Sequence, residues 1–174
     1  LGVLPDGNID VKGLTGKKRH IPTFIKKAFD KMEDRLSQVK TPAEFEEAKK
    51  EIREIVRDRY LQLKQREWGD QPEELAFHVV LGKDPKYYVK TTPQHVKAAR
   101  ILQKEGYEIK AGDLISFVKV AQEPHVKPVQ LASNSEIDVT KYVGYLQSTF
   151  DQVLDALGLD FEEIIGLTKL ERFM

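Results

Sequence analysis

Apolar residues recur at three- and four-residue intervals over three long stretches of the chain, a period that predicts helices with one buried face. The first stripe is Phe24, Ile25, Ala28, Phe29, Met32 and Leu36, behind Pro22, whose fixed φ suits a first helical turn. The second opens at Thr41-Pro42-Ala43-Glu44, a capping box in which the Thr hydroxyl can satisfy the Glu44 amide while the carboxylate reaches back. Its stripe is Phe45, Ala48, Ile52, Ile55, Arg59 and Leu63, kept continuous by the aliphatic stem of Arg59. The third is capped by Asp138 and runs through Tyr142, Val143, Leu146, Phe150, Val153, Leu154 and Leu157. A shorter helix opens at Lys90-Thr91-Thr92-Pro93, read as an N-cap with Pro at the first helical position. It carries Val96, Ala99 and Leu102 and stops at Gly106, and a last short helix begins near Asp160.

Between the helices the pattern changes. Leu75 to Leu81 has the β-branched content and length of a buried strand. The turn residues Pro5-Asp6-Gly7-Asn8 join Gly2 to Leu4 with Ile9 to Lys12 as a hairpin. Ala111-Gly112-Asp113 would likewise join Tyr107 to Lys110 with Leu114 to Val120, and Ser133 to Glu136 has the composition of a linker. The expected fold is α+β, rich in helix, with short antiparallel hairpins.

Composition narrows the function classes. Of 174 residues, 40% are hydrophobic, with eight Phe, six Tyr and one Trp, which is enough to bury a core. The chain has no cysteine, which excludes a disulfide framework, a thiolate metal site and a thiol nucleophile. No apolar run approaches the roughly 20 residues of a membrane span, and Leu1 to Asp10 lack a signal-peptide pattern, so a cytoplasmic protein without a membrane partner is expected. Because it opens on Leu1 in what reads as a strand, the chain is expected to be the C-terminal piece of something longer.

Formal charge is zero overall, but its signs are segregated: +4 over residues 1–40, −3 over 41–80, +4 over 81–130 and −5 over 131–174. A partner responds to the local patch within a Debye length of about 8–10 Å, so two basic stretches could face one polyanion. Chance fluctuation in a chain with 32% charged residues would look the same.

Catalytic chemistry is sparse. His20, His78, His95 and His125 have no metal-ligand spacing, and His78 reads as a core or edge residue. Neither a phosphate-binding glycine loop nor a nucleophile elbow occurs. The pairs Glu46-Glu47, Glu73-Glu74 and Glu162-Glu163 point about 100° apart on a helix and read as solvated faces. Catalytic and metal residues are therefore both expected to be absent from this stretch.

A repeated arrangement is present instead. His20-Ile21-Pro22-Thr23-Phe24-Ile25-Lys26-Lys27-Ala28 and Thr91-Thr92-Pro93-Gln94-His95-Val96-Lys97-Ala98-Ala99 share the pattern x-P-x-x-[IV]-K-x-A. Each joins the positive end of a helix dipole to nearby cations or hydroxyls, an arrangement suited to phosphate. Lys17, Lys18 and Arg19 precede the first, Lys90, Thr91 and Thr92 the second, and Gly13 and Gly16 would let backbone approach a phosphodiester closely. Flexible surface loops with solvated lysines are the competing reading.

Three segments resemble the thumb and C-terminal end of archaeal-type family B DNA-directed DNA polymerases. They are Val11-Lys12-Gly13-Leu14-Thr15-Gly16-Lys17-Lys18-Arg19-His20, the block Tyr88 to Ala99, and the stretch Gly106 to Ile115, collinear over nearly the whole chain. The resemblance implies a palm–thumb junction hairpin and basic loop over 1–20, a thumb domain over 21–166, and a tail over 167–174. It also implies that Lys12, Gly13, Lys17, Lys18 and Arg19 contact double-stranded primer–template DNA near the palm, and that Lys90, Thr91, Thr92, His95 and Lys97 contact it further out. Such backbone contacts carry no sequence information. The family often has Glu where Thr15 stands and Arg-Arg-Asp where Lys18-Arg19-His20 stand. On the same resemblance, the aspartates that hold catalytic Mg²⁺, together with palm, fingers and exonuclease, lie upstream on a longer chain or a separate subunit. This piece alone would need no cofactor.

The tail, with Leu167, Leu170, Phe173 and Met174, matches the hydrophobic spacing of a sliding-clamp-binding peptide, Leu167 standing where Gln is usual. Packing of Leu170 and Phe173 on the core is the alternative. Two other functions compete with duplex binding. A helical protein-interaction module would dock partners on the amphipathic helices 42–66 and 139–157. A single-strand binder would rely on Tyr87-Tyr88 beside Lys86 and Lys90.

Overall fold

The computed structural model describes residues 20–166, together with the backbone of two short strands near the start of the chain. Those strands, β1 (Gly2–Val3) and β2 (Ile9–Asp10), pair antiparallel with Gly2 opposite Asp10 and Val3 opposite Ile9, as the turn residues between them predict. The described residues form two compact units, one comprising those up to Glu67 together with those from Tyr142 onward, the other Trp68–Lys141.

The first unit is helical. In α1 (Thr23–Ser37) all six predicted apolar residues are buried, and Arg35 pairs with Glu51 of α2 (Pro42–Gln65). The capping box forms: Thr41 Oγ1 accepts from the Glu44 amide at 3.1 Å, and Glu44 Oε2 accepts from the Lys40 amide at 2.8 Å. Along α2 the buried set is Ala48, Ile52, Val56 and Leu63, whereas Phe45 and Ile55 are half-buried. Arg59 does sit in the stripe, its guanidinium carbon 4.6 Å from the centre of the Phe24 ring. In α4 (Val139–Ala156), Tyr142, Leu146, Phe150, Val153 and Leu154 are buried as predicted, and Phe150 meets Phe29 edge to face at 5.6 Å. The predicted last helix is α5 (Phe161–Ile164), started by Asp160 Oδ2 accepting from the Glu163 amide.

The second unit is a three-stranded antiparallel sheet, β3 (Phe77–Val80), β4 (Leu114–Lys119) and β5 (Val126–Pro128) in that order, carrying α3 (Gln94–Lys104). Phe77 lies opposite Phe117, and Phe117 opposite Pro128. Leu81, Val96, Ala98, Ala99, Ile115, Phe117 and Val126 make its core.

Here the sequence expectations need three corrections. The strand expected over Leu75 to Leu81 is shorter and half-exposed, because Pro72–Leu75 form a 3-10 turn and β3 alternates half-buried with exposed residues. His78 meets the edge-residue reading: it is exposed on the edge strand β3, its ring nitrogen 2.6 Å from Ser116 Oγ. Tyr107 to Lys110 do not pair with β4. The turn at Ala111–Asp113 is tied instead to the end of β3, with Gly112 N–H donating to Leu81 O at 2.7 Å and Leu81 N–H to Asp113 O at 2.8 Å, so β3 takes that edge of β4. Ser133 to Glu136 are no linker: Asn134–Glu136 form a capped 3-10 turn, Asn134 accepts from Trp68 Nε1 at 2.8 Å, and Glu136 meets Lys127 at 2.7 Å. That bond to Lys127 holds the Glu136 carboxyl below its usual range.

Lys119 ends β4 only 5% exposed, its ammonium 5.2 and 5.5 Å from the ring centres of Phe77 and Phe117. Burial, with a contribution from Lys141, pushes its pKa down to about 8 from 10.5. Between those values the unfolded chain binds more protons than the folded one, so stability rises with pH through this window. Below it, the buried charge costs about 1–3 kcal/mol. Lys119→Met, which replaces ammonium–ring with sulfur–ring contact, should raise the melting temperature at pH 7 by about 3–8 °C, a gain that shrinks toward pH 10.5. Thermal melts across that range check this, and a less stable variant at pH 7 would mean that the interactions of the ammonium outweigh its burial cost.

Candidate nucleic-acid interface

The segment between β3 and α3 is built by local bonds. Asp84 Oδ1 accepts from the Lys86 amide at 3.1 Å and starts the 3-10 turn Pro85–Tyr87, in which Tyr87 N–H donates to Asp84 O and Tyr88 N–H to Pro85 O. Pro85 is buried and anchors the turn. The two tyrosines part company here. Tyr88 turns inward against the core, its ring edge-on to His95 at 6.2 Å and covered by Lys83 Nζ at 4.7 Å. Tyr87 turns outward, 59% exposed, and the neighbouring Val89 is 84% exposed. Lys83, Tyr87, Tyr88, Val89, Lys90 and Thr91 line a shallow groove of about 290 Å³.

The loop is held to α3 by Arg100. Its guanidinium donates to Pro85 O at 3.0 Å, to Tyr88 O at 2.9 Å and to Thr92 Oγ1 at 3.2 Å. Thr92 therefore does not cap α3. Pro93 occupies that place with an extended ψ of 158°, and its carbonyl accepts from the amides of Val96 and Lys97 at 3.0 and 3.1 Å. Proline at this point ends the extended segment, so its own carbonyl opens the helix. Pro22 does the same for α1, with ψ of 148° and its carbonyl accepting from Ile25 and Lys26. The repeated sequence pattern is thus a repeated local structure.

Lys90, Thr91, Thr92, His95 and Lys97 fall together on this loop and the first turn of α3. Lys90 and Thr91 are exposed, and Thr92, His95 and Lys97 are half-buried. Burial pushes the His95 pKa below its ordinary 6.5, so at pH 7 it offers a neutral ring edge and not a charge. Over residues 82–104 the cations are Lys83, Lys86, Lys90, Lys97, Arg100 and Lys104, against the single carboxylate Asp84. Such a one-sign patch attracts polyanions. Lys12, Gly13, Lys17, Lys18, Arg19 and the tail residues Leu167, Leu170, Phe173 and Met174 lie outside the described residues. Sequence reasoning missed Lys83 and Arg100. An arginine two turns into a helix that follows a carbonyl-rich loop was the available signal.

Among the described residues no cluster of His, Asp or Glu converges to hold a metal, and no helix is long and apolar enough to cross a membrane.

Residues 4–157 match the family model described as DNA polymerase family B. The chain is 41% identical over 172 residues to DNA polymerase 1 of Saccharolobus solfataricus, covering 99% of this chain and 19% of that protein. It is 43% identical over 170 residues to DNA polymerase 1 of Sulfurisphaera ohwakuensis, covering 98% of this chain and 19% of that one. The solved family B DNA polymerase from the hyperthermophilic archaeon Pyrobaculum calidifontis has the same fold over 88% of this chain and 19% of its own, with a TM-score of 0.63 at 23% identity. The chain spans about a fifth of the length of these relatives. With a family match through most of its residues and an α+β fold shared with a solved member, the chain belongs to DNA polymerase family B.

Proposed function

We propose that the chain is the thumb portion of a family B DNA polymerase and grips primer–template duplex through its sugar-phosphate backbone, independent of sequence. The reading rests on the cations of the β3–α3 loop, Lys83, Lys86 and Lys90, which are carried with Lys97 on a braced segment that holds one carboxylate. Lysines so placed release counterions on meeting phosphates, which supplies affinity without base readout. Lys12, Lys17, Lys18 and Arg19 would form a second grip nearer the palm. Nucleotidyl transfer, with Mg²⁺ held by palm aspartates, would be carried by other parts of the polymerase.

The interaction-module alternative needs exposed apolar helix faces. In α2 and α4 most of those faces is already buried, through Ala48, Ile52, Val56 and Leu63 on one and Tyr142, Leu146, Phe150, Val153 and Leu154 on the other. The single-strand reading needs stacking platforms, and of its two tyrosines only Tyr87 faces out.

Fluorescence anisotropy of a labelled primer–template duplex over a salt series tests the reading. The expected result is sequence-independent binding whose log affinity falls with log salt by about 0.9 per phosphate contact, with Lys90→Ala shallower by about one. No binding at low salt, or binding indifferent to salt, would overturn it.

A further inference from the structure

Arg100 turns its donors onto the loop: both terminal nitrogens of its half-buried guanidinium bond acceptors drawn from Pro85, Tyr88 and Thr92. These acceptors lie up to 15 residues before it in sequence and span the segment that carries Lys86, Lys90 and the exposed Tyr87 and Val89. A guanidinium spreads its donors over two terminal nitrogens in a rigid plane, here one on Thr92 and the other on the two carbonyls, whereas a lysine ammonium would have to reach all three acceptors from a single nitrogen on a flexible stem. Tyr88, inward and edge-on to His95, fixes one side of the loop, and Arg100 fixes the remainder.

We propose that Arg100 is a positioning residue for duplex recognition: it braces the β3–α3 loop so that Lys86 and Lys90 are presented in one arrangement before DNA arrives. This rests on the duplex-gripping reading above. Ordering a rotamer-rich loop during binding would oppose association, and a loop ordered beforehand avoids that loss. Arg100 therefore acts through the lysines and contributes no phosphate contact of its own.

The test is Arg100→Lys in the 174-residue chain, which keeps the charge and removes the fork. Duplex affinity at fixed low salt is expected to fall roughly five- to tenfold while the slope against log salt stays that of the parent, because no phosphate contact is lost. Without DNA, amide hydrogen exchange at Tyr87 and Tyr88 should quicken at least tenfold while the β3–β4 amides keep their protection. Thr92→Val, which removes one acceptor at nearly constant volume, should move both readouts the same way by a smaller factor and guards against a misfolded Lys variant. If Arg100→Lys leaves affinity and loop exchange unchanged, or if Arg100→Gln flattens the slope by about one while Arg100→Lys does not lower affinity, Arg100 is no brace. Faster exchange with no salt-dependent duplex binding by the parent would sink the duplex reading instead, and with it the role assigned to the brace.

Discussion

Replacing Phe150 by alanine is expected to lower unfolding free energy by about 3–5 kcal/mol and the melting temperature by about 6–20 °C. Phe150 is fully buried on α4, and its ring meets Phe29 of α1 edge to face, so truncation loses both the transfer free energy of the ring and the aromatic contact. The site cannot close easily, since close-packed interiors relax only in part around a missing ring. Phe150→Leu should recover more than half of the loss, because most of the apolar volume returns and only the edge contact and shape are missing. Circular-dichroism melts of the three proteins decide the matter. A loss below about 1 kcal/mol for alanine would mean that the helices collapse onto the space and that the core is less tightly specified than its burial implies. Neither variant removes a cation, so at temperatures where each is folded the salt slope of duplex binding should match the parent.

Much of this fold is legible in local sequence because its helices announce their own faces and ends. Thr41 and Glu44 start α2 where the capping box places them, and the α1 stripe is buried without exception. The departures come where a non-local partner decides. Ile55 and Val56 are adjacent apolar residues on α2, and which of them is buried depends on the elements packed against that helix, not on the helix period. The hairpin expected at Tyr107 to Val120 fails because β4 pairs with β3, more than thirty residues earlier, once Leu81 captures the turn backbone. Strand β5 alternates over only three residues and includes Pro128, too short a run to stand out as a strand. At the candidate interface, the cation cluster was visible from composition and the Pro93 helix start from its motif. The inward turn of Tyr88, the diversion of Thr92 from cap to acceptor and the brace by Arg100 were not, since each depends on backbone carbonyls that a sequence does not display. Family resemblance carried the functional reading further than residue patterns alone.

The triple variant Lys86→Ala, Lys90→Ala and Lys97→Ala is expected to flatten the salt dependence of duplex binding by about 2.7 in log–log slope, at about 0.9 per phosphate contact. Two lines that differ by that slope and meet near 0.5 M salt stand several hundredfold apart at 50 mM, so the defect should be large at low salt and vanish as salt rises. A uniform loss across the series would instead mean that the lysines shape the loop, without touching phosphate. Removing three positive charges also shifts the net charge of a formally neutral chain to −3, which alone weakens attraction to DNA. A second triple variant separates the two effects: Lys49→Ala, Lys50→Ala and Lys64→Ala on α2 imposes the same net charge and leaves the β3–α3 loop untouched. Lys49 and Lys50 already face Glu46 and Glu47 at 3.7 and 3.4 Å, so they offer less to an incoming phosphate. The α2 variant should lose only a few-fold at 50 mM, because none of its lysines belongs to the loop that is proposed to meet phosphate. Equal losses from the two variants would show that any lysine serves, and would leave the braced loop without a special part in holding the duplex.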